Sequence, residues 1–528
     1  MRRPAALAPL RHPAFRLLWL ANLVSNTGLF VQSTAAGWLM TGLSGDPLMV
    51  SLVQASSMLP VFVLALPAGA LADILDRRHF LIGAQLWMTA VALLLCALTF
   101  LDAISPWGLV ALTFALGAGL AMNFPAWAAT TPELVPREDL VGAIALNGIG
   151  FNLTRAVGPA LGGLVVAWAG IGAAFALNAL CILALVAALV AWRREPTHSR
   201  LPRERLAPAM RAGARFVAAN PAMHAAIIRA VTFFLFSSAV WGLLPLLVRE
   251  ELGLGPSAFG VLLGCMGAGA VAAGLLMPRL RGRLDRSGTV LWASLLGAAA
   301  MAVMGLLHHW AAAALAMVVY GVAWIAAAST LQAAAQMAAP AWVRARAIGI
   351  YQMSFFGALA LGSALSGILA GRIGVPLALA LFAACAALGA LLVRRWRLEP
   401  PEEATAPDAP LAKPAPAAPE LREFLHEDGH RLLEVVRYRI PAASRAAFLA
   451  AMEEVRLVRL RGGAARWRLY EDVAHPERWV ELWVVESWAE HLREASRLTE
   501  ADRAALARAA ALHHGEGPPE GARYVNVV

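Results

Sequence analysis

Long runs of apolar residues follow one another through the first 395 or so positions, and short polar segments separate them. A helix that crosses a hydrocarbon core of roughly 30 Å needs about 20 mostly apolar residues. The pattern predicts twelve such helices, near Phe15–Met40, Leu48–Ala70, Phe80–Leu101, Trp107–Thr130, Asn147–Trp168, Ala173–Trp192, Ala225–Val248, Phe259–Leu280, Val290–Leu307, Trp310–Ala333, Ala347–Ala370 and Pro376–Val393. One such run also fits a buried core helix, but twelve in succession are typical of an all-α polytopic membrane protein.

Basic residues mark alternate loops between the predicted spans. Arginines precede the first span and follow the second, sixth and eighth, and they include Arg2, Arg3, Arg11, Arg77, Arg78, Arg193, Arg194, Arg200, Arg203, Arg205, Arg211, Arg215, Arg279, Arg281, Arg283 and Arg286. The opposite loops are short and hold few basic residues. Because cytoplasmic loops retain positive charge, we expect both termini and the central loop to lie in the cytoplasm.

The second group of six spans repeats the first. A shift of 204 residues aligns the fifth span with the eleventh and matches Ala143 with Ala347, Gly158 with Gly362 and Gly163 with Gly367. A shift of 205 residues matches the loop after the second span, Gly69–Arg78, with Gly274–Arg283. Two related halves of this kind generally enclose a substrate path at their interface and open it alternately by rocking.

Composition narrows the class of protein. Of the 528 residues, 59% are hydrophobic and 15% are charged, whereas soluble domains carry about a quarter charged residues. The net charge of +10 lies in the loop clusters, which favours membrane topology over nucleic-acid binding. All four cysteines fall within apolar runs, and we expect neither a metal site nor a cofactor. The N-terminus lacks the features of a cleaved signal peptide.

A different pattern begins after the last span. Residues 398–421 are rich in proline and alanine, which is typical of a semi-extended linker. Beyond it we predict strands and helices in the order β-α-β-β-α-β, near Leu432–Ile440, Ala442–Leu457, Ala465–Asp472, Trp479–Glu486, Ser487–Ala511 and Arg523–Val527. That order predicts a ferredoxin-like α+β domain. The expected parts are a first six-helix half (1–192), a cytoplasmic central loop (193–224), a second half (225–397), the linker, and the soluble domain (422–528).

The loop after the second span, GALADILDRR, carries a recognisable motif. It resembles the signature of the major facilitator superfamily at Gly69, Leu71, Ala72, Asp73, Arg77 and Arg78, and departs from it at Ile74 and Asp76. The resemblance implies a transporter in which the Asp73 carboxylate sits against the N-terminal end of the eleventh span and holds an inner gate. The alternative is that these charges only fix topology.

A second motif lies inside the fifth span. The segment Arg155–Gly163 resembles the glycine-proline signature of the antiporter branches of the same superfamily, with Arg155, Gly158, Pro159, Gly162 and Gly163 in place and Thr154 where glycine is usual. Small residues allow close helix packing, and an intramembrane arginine is expected to face the interior. The second half has Leu359 and Ser363 at the places of Arg155 and Pro159. This asymmetry favours a function for the first copy, with helix packing alone as the alternative.

Polar residues within the spans are the candidates for a substrate cavity. They are Asn22, Asn26, Gln32, Gln54, Asn152, Asn178 and Gln352, and each is also compatible with a hydrogen bond between helices. Phe233, Phe234, Phe236 and Trp241 supply a candidate aromatic wall in the seventh span. The acidic residues of the membrane-spanning part lie near span ends, so proton coupling is implied by the family alone, with Asp73 as its candidate. An apolar cavity without acids favours a large amphipathic or anionic solute.

The tail segments YRIPAASRAAFLAAM and RLYEDVAHPERWVELWVVESWAEHLREASRLTEAD resemble the transmembrane secretion effector branch of the superfamily. That resemblance implies export of siderophores, antibiotics or other drugs across a bacterial cytoplasmic membrane. An importer of the same fold is the alternative within transport. Trp467, Trp483, Trp488 and His491 are compatible with a monooxygenase-like pocket, a packed core or a dimer face, and without a metal cluster or nucleophile pair we favour a non-catalytic tail.

Overall fold

The structure is a computed structural model of the chain, and it describes residues 8–136, 138–192, 206–280, 284–339, 343–398, 431–488, 491, 498 and 500–526. The chain forms two compact units. The first consists of Met1–Pro202, Ala225–Ala334 and Tyr351–Leu398, and the second of Arg203–His224, Ala335–Ile350 and Glu399–Val528.

Thirteen helices occupy the described part of the chain before residue 399. Their bounds are α1 Pro13–Leu43, α2 Pro47–Ile74, α3 Arg77–Phe100, α4 Pro106–Leu134, α5 Leu140–Ala169, α6 Ile171–Ala191, α7 Leu206–Ala218, α8 Pro221–Leu246, α9 Pro256–Leu280, α10 Arg286–Leu306, α11 Trp310–Ala338, α12 Arg344–Ile373 and α13 Val375–Leu392. Among the described residues, twelve of them, all except the short α7, are long and apolar enough to cross a membrane. The predicted polytopic fold is confirmed.

Several helices begin before their apolar run. Five of them start at a proline, where the missing N–H group would have had no partner within the helix. Side-chain caps also fix two of these starts: at α2 Asp46 accepts a hydrogen bond from the Leu48 N–H group, and at α4 Ser105 accepts one from the Gly108 N–H group. Hydropathy alone therefore predicts helix starts that are too late in the chain, because capping residues and prolines define the N-terminal end of a helix whether or not that end is apolar.

The helix starts reproduce the internal repeat. Helices α4, α5 and α6 begin 204 residues before α11, α12 and α13, in agreement with the predicted shift. For the loop after the second span the structure gives 209 residues, not 205. Asp76 caps α3 through the His79 N–H group, and Asp285 caps α10 through Gly288 in the same way. The residue identities at a shift of 205 were therefore misleading, because the structurally equivalent positions are the capping residues Asp76 and Asp285 and the helix starts that follow them.

The second unit contains an antiparallel sheet of four strands, β1 Leu432–Arg439, β2 Arg466–Glu471, β3 Arg478–Val485 and β4 Glu520–Val525, in the order β2-β3-β1-β4. The helices α14, Arg445–Gly462, and α15, Glu500–Ala511, follow β1 and β3 in the chain. This is the ferredoxin-like topology predicted from the sequence. Most of the predicted helix before residue 500, and the linker from residue 399, lie outside the described residues.

One face of this sheet packs against the helices. Its central residues are Tyr438 and Trp479, which cover Phe448 and Val455 of α14 and Leu506 of α15. Burial of each large apolar side chain contributes about 1.5–3 kcal/mol to stability. The domain therefore has a core of its own.

Candidate transport cavity

A cavity of about 480 Å³ lies between the two repeated halves. Residues of α1, α2, α4 and α5 form one side of it, and residues of α8, α9, α11 and α12 form the other. Most of the lining is apolar or aromatic, with a few amide and hydroxyl groups between. Pockets for drug-sized ligands have this size and composition.

The polar candidates from the sequence separate into two groups. Gln54, Asn152 and Gln352 line the cavity. Gln32 and Asn178 are instead buried and hydrogen-bonded to each other between α1 and α6. The other two, Asn22 and Asn26, are half-buried on α1 and are not among the lining residues. Whether the first group contacts substrate stays a prediction.

Aromatic rings from three helices of the second half form a continuous cluster on the cavity wall. The ring centres of Phe234 and Phe355 lie 4.3 Å apart, and those of Phe234 and Trp324 lie 5.2 Å apart. Trp241 joins the cluster at 5.7 Å from Trp324. Of the four aromatic residues predicted in the seventh span, Phe234 and Trp241 line the cavity. Phe233 packs on Trp324, and Phe236 packs on Phe382.

Arg155 of α5 lies against this cluster. Its guanidinium carbon lies 5.4 Å from the ring centre of Trp241 and 5.0 Å from that of Trp324, within the range of cation–π attraction. Among the described residues that line the cavity, Arg155 is the one charged side chain. Its counterpart in the repeat, Leu359, also lines the cavity and is apolar. The charge of the cavity is thus confined to the first half.

The glycines of the same motif pack helices together. A β-carbon at Gly158 would lie 2.6 Å from the Phe30 β-carbon of α1, and one at Gly162 would lie 3.0 Å from the Val31 carbonyl oxygen. One at Gly163 would lie 2.6 Å from the Gly260 α-carbon of α9. Gly158 and Gly162 therefore allow contact within the first half, and Gly163 allows contact between the halves. Pro159 lines the cavity between them.

The second half repeats this packing. A β-carbon at Gly362 of α12 would overlap the Leu235 carbonyl oxygen of α8, as one at Gly158 would overlap α1. A β-carbon at Gly367 would lie 2.8 Å from the Pro47 carbonyl oxygen of α2. A β-carbon at Gly163 would lie at the same distance from the Pro256 carbonyl oxygen of α9. The two helices thus make equivalent contacts.

The predicted inner-gate motif lies where α2 meets α3. Arg77 donates to Glu133 of α4 at 2.7 Å. Arg78 donates to the carbonyl oxygens of Leu189 and Val190 at 2.9 and 2.7 Å, which caps the last turn of α6. Both arginines therefore hold helices of the first half together. The surroundings of Gly69 and the side chain of Asp73 lie outside the described part of the structure, so the gate role of these residues stays a prediction.

The halves also meet at the end of the bundle where α1 ends and α2 begins, which the arginine pattern predicts to be external. Trp38 of α1 stacks on Phe259 of α9 at 6.0 Å. Arg249 donates to the Thr41 hydroxyl at 3.0 Å, and Ser363 donates to the Ser51 carbonyl oxygen at 3.0 Å. These contacts join the two halves at that end.

Comparison with known proteins identifies the family. The model of the transmembrane secretion effector family matches residues 4–528. The chain belongs to this family. Among curated proteins, the chain is similar to the enterobactin exporter EntS of Escherichia coli O1:K1 / APEC and of Shigella boydii serotype 18, with 27% identity in each case over 402 residues, 74% of this chain and 95% of the relative.

Solved structures show the same fold. A bacterial homologue of the human lysosomal transporter Spinster has a TM-score of 0.59 at 14% identity, covering 73% of this chain and 98% of that one. The nucleoside transporter NupG, as its D323A mutant, has a TM-score of 0.62 at 13% identity, covering 72% and 99%. The family match and the exporter relatives, together with this fold, make the protein a multi-pass transporter of the major facilitator type and not an enzyme.

The aromatic residues of the tail take part in a packed, hydrogen-bonded core. Glu481 is buried and accepts hydrogen bonds at 3.0 Å from Arg459, Tyr438 and the Trp467 indole. Arg459 also stacks over Trp483 at 3.6 Å. Burial and the adjacent carboxylate raise the pKa of the Tyr438 phenol well above its usual value.

The other two tail candidates lie in the same region of the sheet, where Trp488 packs against the cluster that contains Trp483 and Trp467. The His491 ring is 5.0 Å from that of Trp488 and contacts the Glu434 carboxylate. Trp467 and Trp483 thus take part in the packed core of the domain.

Proposed function

We propose that this protein is a secondary active exporter of small amphipathic molecules in a bacterial inner membrane, with both termini in the cytoplasm. The observation that carries the proposal is a cavity with walls from both repeated halves, because such a cavity opens alternately to either side when the halves rock. The enterobactin exporters among its relatives support export of a siderophore or a similar molecule.

The contacts between the halves suggest how the rocking occurs. Glycine and other small residues of α5 and α9 meet at Gly163 with Gly260 and at Ala156 with Gly267. Contacts of this type have little side-chain interlocking, so two helices can pivot on them. In an exporter of this kind the cavity would receive substrate from the cytoplasmic side and release it on the other side.

Gating at the cytoplasmic side is assigned to the loop after α2. We propose that Asp73 supports the inner gate while Arg77 and Arg78 fix the helices around it. Replacement of Asp73 by asparagine should abolish export at an unchanged level of protein in the membrane. Unchanged export by this variant would remove the gate from the proposal.

Export itself is tested in inverted membrane vesicles, in which an exporter accumulates its substrate in the lumen. With enterobactin as the probe, vesicles that contain the protein should accumulate it faster than vesicles without it. Uptake by right-side-out vesicles instead would establish an importer.

Coupling to protons is a further proposal, supported by the antiporter-like motif. Enterobactin accumulation should respond to an imposed pH gradient, and indifference to that gradient would exclude antiport.

The tail is proposed to be a non-catalytic module held by the central loop. Within the second unit, Arg215 of α7 donates to Glu486 at 3.0 Å and to the Gly463 carbonyl oxygen at 3.4 Å. This part-buried ion pair joins the helix of the central loop to the tail domain. Dimerisation through the tail remains part of this proposal. Sedimentation of the full-length protein in detergent should give a dimer mass, and a monomer would contradict it.

A further inference from the structure

Arg155 combines a permanent charge with surroundings that do not neutralise it. The guanidinium contacts the faces of Trp241 and Trp324, and no carboxylate occurs among the described residues that line the cavity. Charged side chains within membrane segments are costly unless they pair with another group or face an aqueous path. A cation–π contact compensates only part of the hydration that the guanidinium loses. The cavity therefore favours a ligand that brings a negative charge.

The groups around Arg155 are mainly hydrogen-bond donors. A guanidinium has five N–H groups and no acceptor, and an indole has one N–H group and no acceptor. Both indole nitrogens, of Trp241 and Trp324, are buried without a hydrogen-bond partner among the described residues. A buried donor without an acceptor is unfavourable. This cluster therefore matches an acceptor-rich group such as an oxyanion.

The neighbouring wall is suited to an aromatic ring. Phe234 and Phe355 are arranged edge to face beside Trp324, and all three line the cavity. Aromatic rings prefer such edge-to-face or offset contacts, so a flat ligand ring fits among them. A guanidinium also recognises a planar oxyanion with two parallel hydrogen bonds, which lysine does not.

We propose that Arg155, Trp241 and Trp324 form the recognition site for an aromatic oxyanion, a carboxylate or phenolate carried on the ring of the transported molecule. The inference rests on the proposed export function and names the substrate class of the same cavity. The repeat counterpart Leu359 is apolar, so the acidic end of the ligand is directed to the α5 side. Because Arg155 belongs to the first half and both tryptophans to the second, an oxyanion on Arg155 replaces a contact between the halves. Substrate binding thereby acts directly on the interface that rocks.

The test compares an acid with its neutral analogue on the purified full-length protein. Binding of tritiated 2-naphthoate is measured in detergent, with unlabelled 2-naphthoate and 2-naphthamide as competitors. The wild type should prefer the acid, because the amide has the same ring without the charge. Arg155→Gln should lower naphthoate affinity by about ten- to a hundredfold, the effect of one charge-assisted hydrogen-bonded pair, and leave the amide unchanged. Arg155→Lys should recover only part of the affinity.

The matched control is Arg395→Gln. Arg395 also stacks on a tryptophan, Trp396, at 3.9 Å, but it is exposed and not a lining residue. This variant removes the same charge and should retain wild-type affinity for naphthoate. Gel filtration of each variant shows whether it is folded.

Three results would overturn the inference. They are equal affinity of the wild type for acid and amide, no measurable binding of either, and an equal loss in Arg155→Gln and Arg395→Gln. Binding in detergent does not depend on transport direction. A protein that selects the acid through Arg155 but moves nothing across vesicles would refute only the export proposal. One that exports without selecting the acid would refute only this inference.

Discussion

Helices α5 and α12 are the two copies of one repeat element, and they differ in the polarity of side chains that line the cavity. At Gly158 and Gly362 both copies bring a neighbouring helix close, and at Gly163 and Gly367 both meet the opposite half. On the cavity side, Arg155 of α5 corresponds to Leu359 of α12, and Asn152 corresponds to Phe356. The close-packed glycines at these two positions are shared, whereas the polar lining residues Arg155 and Asn152 have apolar counterparts.

That contrast separates architecture from recognition. A rocking transporter needs close contacts in both halves, because each half pivots on the other. It does not need the same chemistry on both walls of the cavity. A ligand with one acidic and one apolar end fits better between unlike walls, since each end then meets its complement. The chain should therefore tolerate changes at diverged positions far better than at shared ones.

The largest effect is expected at the shared glycines. Gly158→Leu and Gly362→Leu should each abolish the recovery of monodisperse protein, because the new side chain collides with α1 or with the α8 backbone. Fluorescence-detected gel filtration of tagged protein measures this. The matched controls are Gly148→Leu on α5 and Gly371→Leu on α12, where an added β-carbon meets nothing within 4 Å. Equal losses at all four positions would show that close packing is not the cause.

A smaller and more selective effect is expected at the diverged pair. Arg155→Gln should reduce export of an acidic substrate about ten- to a hundredfold without loss of folded protein. Leu359→Gln, at the equivalent place on the other wall, should reduce it less than threefold, a rough bound for a lining residue that makes only apolar contacts. Initial rates in inverted vesicles check both. A similar loss in the two variants would mean that the walls are functionally alike.

The smallest effect is expected at a polar pair that occurs in one half only. Gln32 and Asn178 are hydrogen-bonded between α1 and α6, whereas helix starts place Val240 and Phe382 at the equivalent positions of the second half. Asn178→Leu should lower stability by about 1 kcal/mol, because the Gln32 amide loses its buried partner. The double variant with Gln32→Leu should recover most of that loss, since neither polar group remains. Thermal unfolding in detergent measures both, and an additive loss in the double variant would contradict the pairing argument.

Much of the fold could be predicted from local patterns. The twelve spans follow from the length and apolarity of the runs. The alternation of apolar and polar residues after residue 431 predicted the order of strands and helices along the tail. The repeat was recognisable near Gly158 and Gly362 because helix α5 aligns with α12 without a gap. Around Asp76 the alignment failed by four residues. A helix is capped by a single Asp, Asn, Ser or Thr, and these residues are common throughout the chain. Which of them is the cap becomes clear only when the helix itself is located.

The sequence by itself determined the class of molecule, since a segment that spans a bilayer must satisfy its backbone hydrogen bonds internally, and runs of about 20 apolar residues do so as helices. It also singled out Arg155, because an arginine within a span is costly and therefore conspicuous. Only the tertiary structure decided which polar residues line the cavity. Gln54 and Gln32 are both glutamines within spans, yet one lines the cavity and the other pairs with Asn178. The reason is physical: helical periodicity gives the spacing of side chains around a helix, but the neighbour that each side faces is set by the packing of helices distant in the chain.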